Sequence, residues 1–249
     1  MSTIACAVHD GAPPVASLFT LIPPKEPVAT SQNPQNAAAL AGANMLALNA
    51  TTNGCGIDWG VAGRPFPGEP ESGDLHVAVE LPDGILLAVI DGLGHGSEAA
   101  EAARIAAATL QEHASETLSD ALRSCDAALQ GSCGVVLTVV RIGVDGTLTW
   151  VGVGDAAGVL WRRSGSGFSI RSMAPLGHGV LGSHLPQLHE KQISLLEDDL
   201  LLLCSGIADA AQWTPALLDN PTRAAETILV EQAREDDDAL ALVARYAGP

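Results

Sequence analysis

From residue 56 onward the chain is a succession of short apolar runs separated by turn signals. Leu75 to Leu81 and Ile85 to Ile90 flank Pro82-Asp83-Gly84, and Gly134 to Ile142 and Thr147 to Val153 flank Val144-Asp145-Gly146; both pairs predict hairpins. Val159 to Arg162 and Phe168 to Arg171 flank a Ser/Gly turn. Gln192 to Leu195 and Leu200 to Cys204 flank Glu197-Asp198-Asp199, which reads as a further hairpin with a solvated turn. Between the first two hairpins the period changes. Ser97 to His113 reads as a helix with Ser97 as N-cap and acids in its first turn, and Glu116 to Gln130 as a second, with Ser115 as cap and Gly131 as stop. Residues 213–234 look helical, broken by Pro215 and Pro221, and Ala239 to Arg245 reads as a last strand. Hairpins, two helices, more hairpins and a closing strand predict an antiparallel-rich α+β domain with helices over sheets.

The first 54 residues differ. They hold six prolines, much Ala and Asn, and little charge. Ala37 to Leu48 has a weak helical pattern, but the segment reads as a flexible or loosely docked extension (1–54) ahead of one domain (55–249). Val15 to Ile22 is apolar but short, with no Lys or Arg before it and Pro23-Pro24 after it, so it does not read as a signal peptide.

Composition narrows the function classes. Of 249 residues 47% are hydrophobic and only 3% aromatic, so a large core must be built from Ala, Val, Leu and Ile. The formal net charge of -17 repels nucleic acid and anionic membranes and suits a protein that gathers cations or meets a basic surface. No stretch approaches the ~20 apolar residues of a membrane span. The cysteines Cys6, Cys55, Cys125, Cys133 and Cys204 are odd in number and form no C-x-x-C pair. That argues against a disulfide framework or zinc site and predicts a reducing cytoplasm.

The candidate chemistry lies in acids at strand ends. Asp91-Gly92-Leu93-Gly94-His95-Gly96 follows the run Ile85 to Ile90; Asp74 follows Gly73; Asp236-Asp237-Asp238 precedes the last strand. Hard carboxylate oxygens from three distant positions are what Mg²⁺ or Mn²⁺ requires. By itself, Asp91 is equally an ordinary strand-to-helix turn acid. Asp155 reads as either a turn acid or an outer-shell ligand. Arg64 reads as a phosphate contact or a loop residue. His95 is a candidate acid for a leaving group or a structural loop residue. His76, His178, His184 and His189 lack ligand spacing and read as surface or loop residues, and Cys204 reads as a small buried hydrophobe.

An ordered set of motifs carries a resemblance: Trp59-Gly60-Val61-Ala62 with Arg64-Pro65, Pro67-Gly68-Glu69, Ser72-Gly73-Asp74, the Asp91 to Gly96 loop, Gly152-Val153-Gly154-Asp155, Gly179 to Gly182, and Asp237-Asp238. From Ile57 to Tyr246 the chain resembles the PPM metal-dependent protein phosphatases, in their SpoIIE/RsbX-like branch. The resemblance implies an αββα sandwich, two packed, mainly antiparallel sheets flanked by helices. It implies two Mn²⁺ or Mg²⁺ ions and a metal-activated water that hydrolyses phosphoserine or phosphothreonine. Carried over, Asp91 bridges the metals, the Gly92 carbonyl is a further ligand, and Asp74 and Asp237 complete the coordination, with Asp74 and Asp91 as the catalytic acids. The implied partner is a phosphorylated regulator of a bacterial stress or sigma-factor cascade, such as an anti-sigma antagonist or STAS-type domain. One position departs from the pattern. Where the family carries an Asp after an apolar strand, Ser205 follows Leu200 to Cys204, with Asp209 four residues on. A neutral hydroxyl is a weaker ligand than a carboxylate, so the second metal site is expected to be weakened, and a catalytically silent, partner-binding pseudophosphatase is the alternative reading.

Overall fold

The computed structural model describes residues 46–52, 55–165, 167–211 and 220–248. The strands are β1 (Leu46–Thr52), β2 (Ile57–Arg64), β3 (Asp74–Leu81), β4 (Gly84–Gly92), β5 (Val135–Gly143), β6 (Thr147–Val153), β7 (Ala157–Ser164), β8 (Gly167–Met173), β9 (Leu176–Gly177), β10 (Lys191–Ser194), β11 (Leu200–Ser205) and β12 (Ala239–Tyr246). The helices are α1 (Gly96–Glu112), α2 (Leu118–Ala128) and α3 (Pro221–Gln232). One sheet runs β1-β2-β12-β11-β7-β8 and the other β10-β6-β5-β4-β3, with β9 added in parallel to β6.

Strand alternation builds the layers. In β4, Ile85, Leu87 and Val89 face the core between the sheets, while Leu86, Ala88 and Ile90 face the layer under α1 and α2. In β11, Leu201 and Leu203 face the inner core and Leu200, Leu202 and Cys204 face α3. Both faces of these strands are covered, so their sequences are continuous apolar runs rather than alternating ones. Ala99, Ala102, Ala103 and Ala106 of α1 are all buried. These small side chains let the helix lie close to the sheet and offset the scarcity of aromatic residues. The order is helices, sheet, sheet, helix: the αββα sandwich, with two mainly antiparallel sheets.

Several local expectations change. α1 begins one residue early, with His95 rather than Ser97 at the N-cap and no side-chain cap bond. α2 is capped by Thr117, not Ser115: its hydroxyl accepts from the Asp120 amide and donates to Asp120 Oδ2 (3.1 and 2.7 Å). Thr117→Ala is expected to cost ~1 kcal/mol, read as a fall of about 3 °C in the thermal melting point. α3 starts at Pro221 behind an Asn220 cap, because proline at the first helical turn starts a helix rather than breaking it; residues 212–219 lie outside the described residues. β10 and β11 do not form a hairpin. β10 pairs with β6 and β11 with β7 and β12, so the chain between them crosses from one sheet to the other. Asp199 in that crossing is not solvated: its side chain is buried, receives two nitrogens of Arg162 (2.9 and 2.6 Å), and accepts from the Leu196 amide. At the N-terminal side, Leu46–Thr52 pairs antiparallel with β2, so that part of segment 1–54 belongs to the sheet. The rest of the proposed extension, including most of the Ala37 to Leu48 pattern, lies outside the described residues.

Candidate metal centre

The two sheets meet at one edge where apolar filling gives way to acid. Asp91 lies two residues beyond Val89 and Ser205 two beyond Leu203, so the alternation that turns those apolar chains into the inner core turns these polar ones the same way. Asp238 lies two residues before Leu240 of the same core. Asp74 is the direct cross-strand partner of Asp91. Asp74 is 3% and Asp238 3% exposed, which for carboxylates requires compensation.

That compensation is incomplete within the protein. Asp74 Oδ2 accepts from Ser205 Oγ at 2.7 Å, but Asp74 Oδ1 has no hydrogen-bond partner among the described residues. Asp238 Oδ1 accepts from the Phe66 amide and from Ser72 Oγ (2.7 and 3.0 Å), which ties the 65–72 loop to the start of β12, while its Oδ2 is likewise unpartnered. Burial, and then the charge of Asp91, hold the Asp74 carboxyl well above the usual carboxylate range; the Ser205 hydroxyl works against this. Burial, followed by the charges of Asp237 and Asp155, pushes Asp91 up to about 7, with Arg234 opposing. Asp237 is also raised, by burial first, and is lowered by Arg234. Crowded, desolvated carboxylates that each raise the cost of ionising the next form an environment that a cation stabilises.

A cavity of about 60 Å³ is bordered by Asp91, Asp155, Ser205, Arg234 and Asp237. A second, of about 260 Å³, is bordered by Asp74, Arg64, Ser72 and His76. Gly92 is pressed against α1: a Cβ there would stand 2.2 Å from the Ala99 carbonyl oxygen. At Gly73, a Cβ would stand 3.1 Å from Asp238 Oδ2 and 3.4 Å from the Gly92 carbonyl oxygen, so these two acceptors border one small space that a side chain would fill. Among the described residues, no three Asp, Glu, His or Cys side chains stand close enough to grip one ion by themselves. Hard carboxylate oxygens, a nearby backbone carbonyl and two buried unpartnered oxygens nevertheless suit Mg²⁺ or Mn²⁺, which keep several waters and use few protein ligands.

The structure thus gathers Asp74, Asp91, Gly92 and Asp237 at one edge, with Asp155 and Ser205 beside them. Asp236 is exposed. Asp209 is half-buried in the loop after β11 and does not border either cavity. Arg64 is committed to main-chain carbonyls: Nη1 donates to Asp237 O at 3.2 Å and Nη2 to Arg234 O, fastening the segment that carries Asp237. His95 stacks on Phe66 (centroids 4.2 Å) and its Nδ1 lies 3.0 Å from Glu69 Oε1. His76 is half-buried in a strand rather than on a surface loop. It sits in β3, 5.9 Å from the Trp59 ring, and burial lowers its pKa. Cys204 is buried and its thiol is pushed up to about 12 by burial, as a small hydrophobe. Two residues escape sequence reasoning. Asp238 was findable by counting back in steps of two from Leu242 and Leu240; Arg234 carries no such signal.

A family model for stage II sporulation protein E (SpoIIE) matches residues 82–246, more than half of the chain. A chain from work on the bacterial stressosome, as a modular system adapted to control secondary messenger signaling, is 30% identical; the match covers 76% of this chain and 99% of that one, with a TM-score of 0.68. RsbX in complex with magnesium aligns over 80% of this chain and 99% of its own at 17% identity and TM-score 0.66. The PP2C phosphatase domain of SpoIIE from Bacillus subtilis, solved with a fragment of its regulatory domain, aligns over 84% of this chain and 74% of its own at 17% identity and TM-score 0.60. No curated protein shows significant similarity to the sequence. Among the described residues, no helix is long and apolar enough to cross a membrane. With the αββα sandwich and the acids at its edge, these matches establish that the chain belongs to the SpoIIE family and has the PP2C phosphatase fold.

Proposed function

We propose that the chain is a cytoplasmic, metal-dependent phosphoserine/phosphothreonine protein phosphatase. Its substrate is a phosphorylated regulator of a bacterial stress or sigma-factor cascade, such as an anti-sigma antagonist or STAS-type domain. The observation that carries this reading is the facing pair of a buried Asp74 and a half-buried Asp91 at the mouth of the sandwich, with an unpartnered oxygen on Asp74. Asp74, Asp91, the Gly92 carbonyl and Asp237 hold the metal in this reading, and Asp155 shapes the field around it. Bound Mn²⁺ or Mg²⁺ supplies the Lewis acidity that neutralises a phosphate and acidifies a water. The chain's own residues do the rest. Gly73 keeps a side chain out of the site, Gly92 lets α1 approach the end of β4, Arg64 fixes the Asp237 segment, and the 65–72 loop is pinned by Asp238. His95, which follows Asp91 in the same loop, stacks on Phe66 and meets Glu69, and so joins that loop to the 65–72 segment. The stressosome origin of the 30% identical relative supports a signalling partner.

A specific observation favours a second reading. Ser205, neutral where the family pattern has an acid, donates its hydroxyl to Asp74 instead of adding charge to the site. A partner-binding pseudophosphatase would tolerate this. Phosphate release from phosphoserine and phosphothreonine peptides, with Mn²⁺ and with EDTA, separates the two. Wild type active only with Mn²⁺ supports the phosphatase. A silent wild type with an active Ser205→Asp variant supports the second reading, and silence of both with Mn²⁺ bound rejects catalysis.

A further inference from the structure

Two features of this site, Ser205 and Arg234, lie side by side. Ser205 ends β11, and the next residue, Gly206, accepts through its carbonyl from the Arg234 amide at 2.9 Å. An isolated bridge between Ile207 and Ala233 fixes the same two segments against each other. Arg234 is therefore anchored next to Ser205 by the backbone, and its own carbonyl is held by Arg64. Its side chain borders the cavity shared by Asp91, Asp155, Ser205 and Asp237, with Nη1 3.9 Å from Asp237 Oδ2. On one wall of this cavity a hydroxyl stands where an acid is expected; on the next stands a guanidinium.

We infer that Arg234 takes the place of one divalent cation, so that this chain binds a single Mn²⁺ or Mg²⁺ rather than a pair. The inference rests on the metal-centre reading above and sharpens it. A permanent guanidinium beside Asp237 competes for the carboxylate a second ion would use. It also repels an ion that would have to sit about 4 Å from the first. Ser205 adds no charge to offset that repulsion, because it is neutral and its hydrogen is spent on Asp74. Asp74 and the Gly92 carbonyl do not border the cavity that Arg234 enters, and with Asp91, which borders it and faces Asp74 across the strand pair, they serve the single ion. The guanidinium itself remains half exposed at 51%, free to meet a phosphate oxygen from solvent.

Mn²⁺ titration by calorimetry, with electron paramagnetic resonance on the loaded protein, tests this without any turnover assay. The wild type is expected to bind one Mn²⁺ per chain and give the spectrum of an isolated ion. The double variant Ser205→Asp/Arg234→Gln is expected to bind two and show exchange coupling between them, with second-site affinity rising at least ~100-fold. A wild type that binds two coupled ions overturns the inference and leaves the metal centre intact. A double variant still limited to one ion removes Arg234 from the explanation. A wild type that binds none overturns the metal-centre reading and this inference with it. Thermal melting of both proteins, read first, establishes that the double variant is folded.

Discussion

Asp91→Asn is expected to make the metal-free protein more stable at pH 8, by on the order of 4 kcal/mol or about 10 °C in melting temperature, while removing its response to Mn²⁺. The first half follows from linkage. Asp91 titrates at about 7 in the folded chain, raised from 3.8 by burial and then by Asp237 and Asp155. Below pH ~4 the residue is protonated in both states and costs nothing. Between pH ~4 and ~7 the folded state holds a proton that the unfolded chain releases, so stability falls as pH rises, and the full cost is present above ~7. Asparagine cannot ionise and escapes that cost. The second half follows from chemistry: the amide brings no negative charge to a hard cation, so metal binding and hydrolysis are both lost, the latter by at least ~100-fold. Melting curves at pH 5 and pH 8, with EDTA and with Mn²⁺, read both effects. Wild-type stability that does not change between these pH values without metal, or an Asn variant that Mn²⁺ still stabilises, contradicts the assignment of Asp91. Gain of stability on loss of function marks strain stored at a working site.

Gly206→Ala is expected to be among the most damaging small substitutions in the chain. Its φ of +61° is one that alanine adopts only at a cost of about 1 kcal/mol. The added Cβ would also stand 1.9 Å from the Asp238 carbonyl oxygen, which is backbone and cannot swing aside. The two segments that must part are those carrying Ser205 and Asp237, joined through the Gly206–Arg234 hydrogen bond. A loss of more than about 3 kcal/mol is expected, seen as a melting point lower by about 10 °C or as insoluble protein. Gly165 tests the steric part of the argument. It also has positive φ, at +62°, but no atom lies within 4 Å of its Cβ position, so Gly165→Ala costs only the backbone term. If the two alanine variants melt together, crowding at Gly206 is not the cause.

The legible parts of the fold were those where local pattern and global packing agree. The β3–β4 and β5–β6 hairpins carry their own turn residues, and the apolar runs of β4, β5, β11 and β12 are the strands buried on both faces. β10 and β11 misled because a short apolar pair around an acidic turn has the same pattern whether the strands pair or part. What separates them is Asp199, buried with Arg162, a contact between residues 37 apart that no local rule reveals. The helix caps differ by two residues: for α2, Ser115 and Thr117 are chemically equivalent candidates that only packing separates, and at α1 the cap is His95, which makes no side-chain cap bond for a sequence pattern to reveal.

At the site, the motif order indicated Asp74, Asp91 and Asp237, which the fold gathers at one edge. Asp238 was hidden by its run of like neighbours. Its side chain turns inward while Asp236 stays in solvent, and this depends on the register of β12 against β2 and β11. Arg234 was invisible because a basic residue just past the end of a helix is ordinarily solvated. Only the bridge between Ile207 and Ala233 carries it to Ser205.

Hydrolysis of p-nitrophenyl phosphate by the wild type and Asp91→Asn, with Mn²⁺ and after EDTA, tests the central claim most directly. Turnover by the wild type that requires Mn²⁺ and falls at least ~100-fold in Asp91→Asn is the predicted result. Wild-type turnover that survives EDTA, or an Asp91→Asn variant as active as the wild type, would contradict a metal-dependent phosphatase built on Asp91.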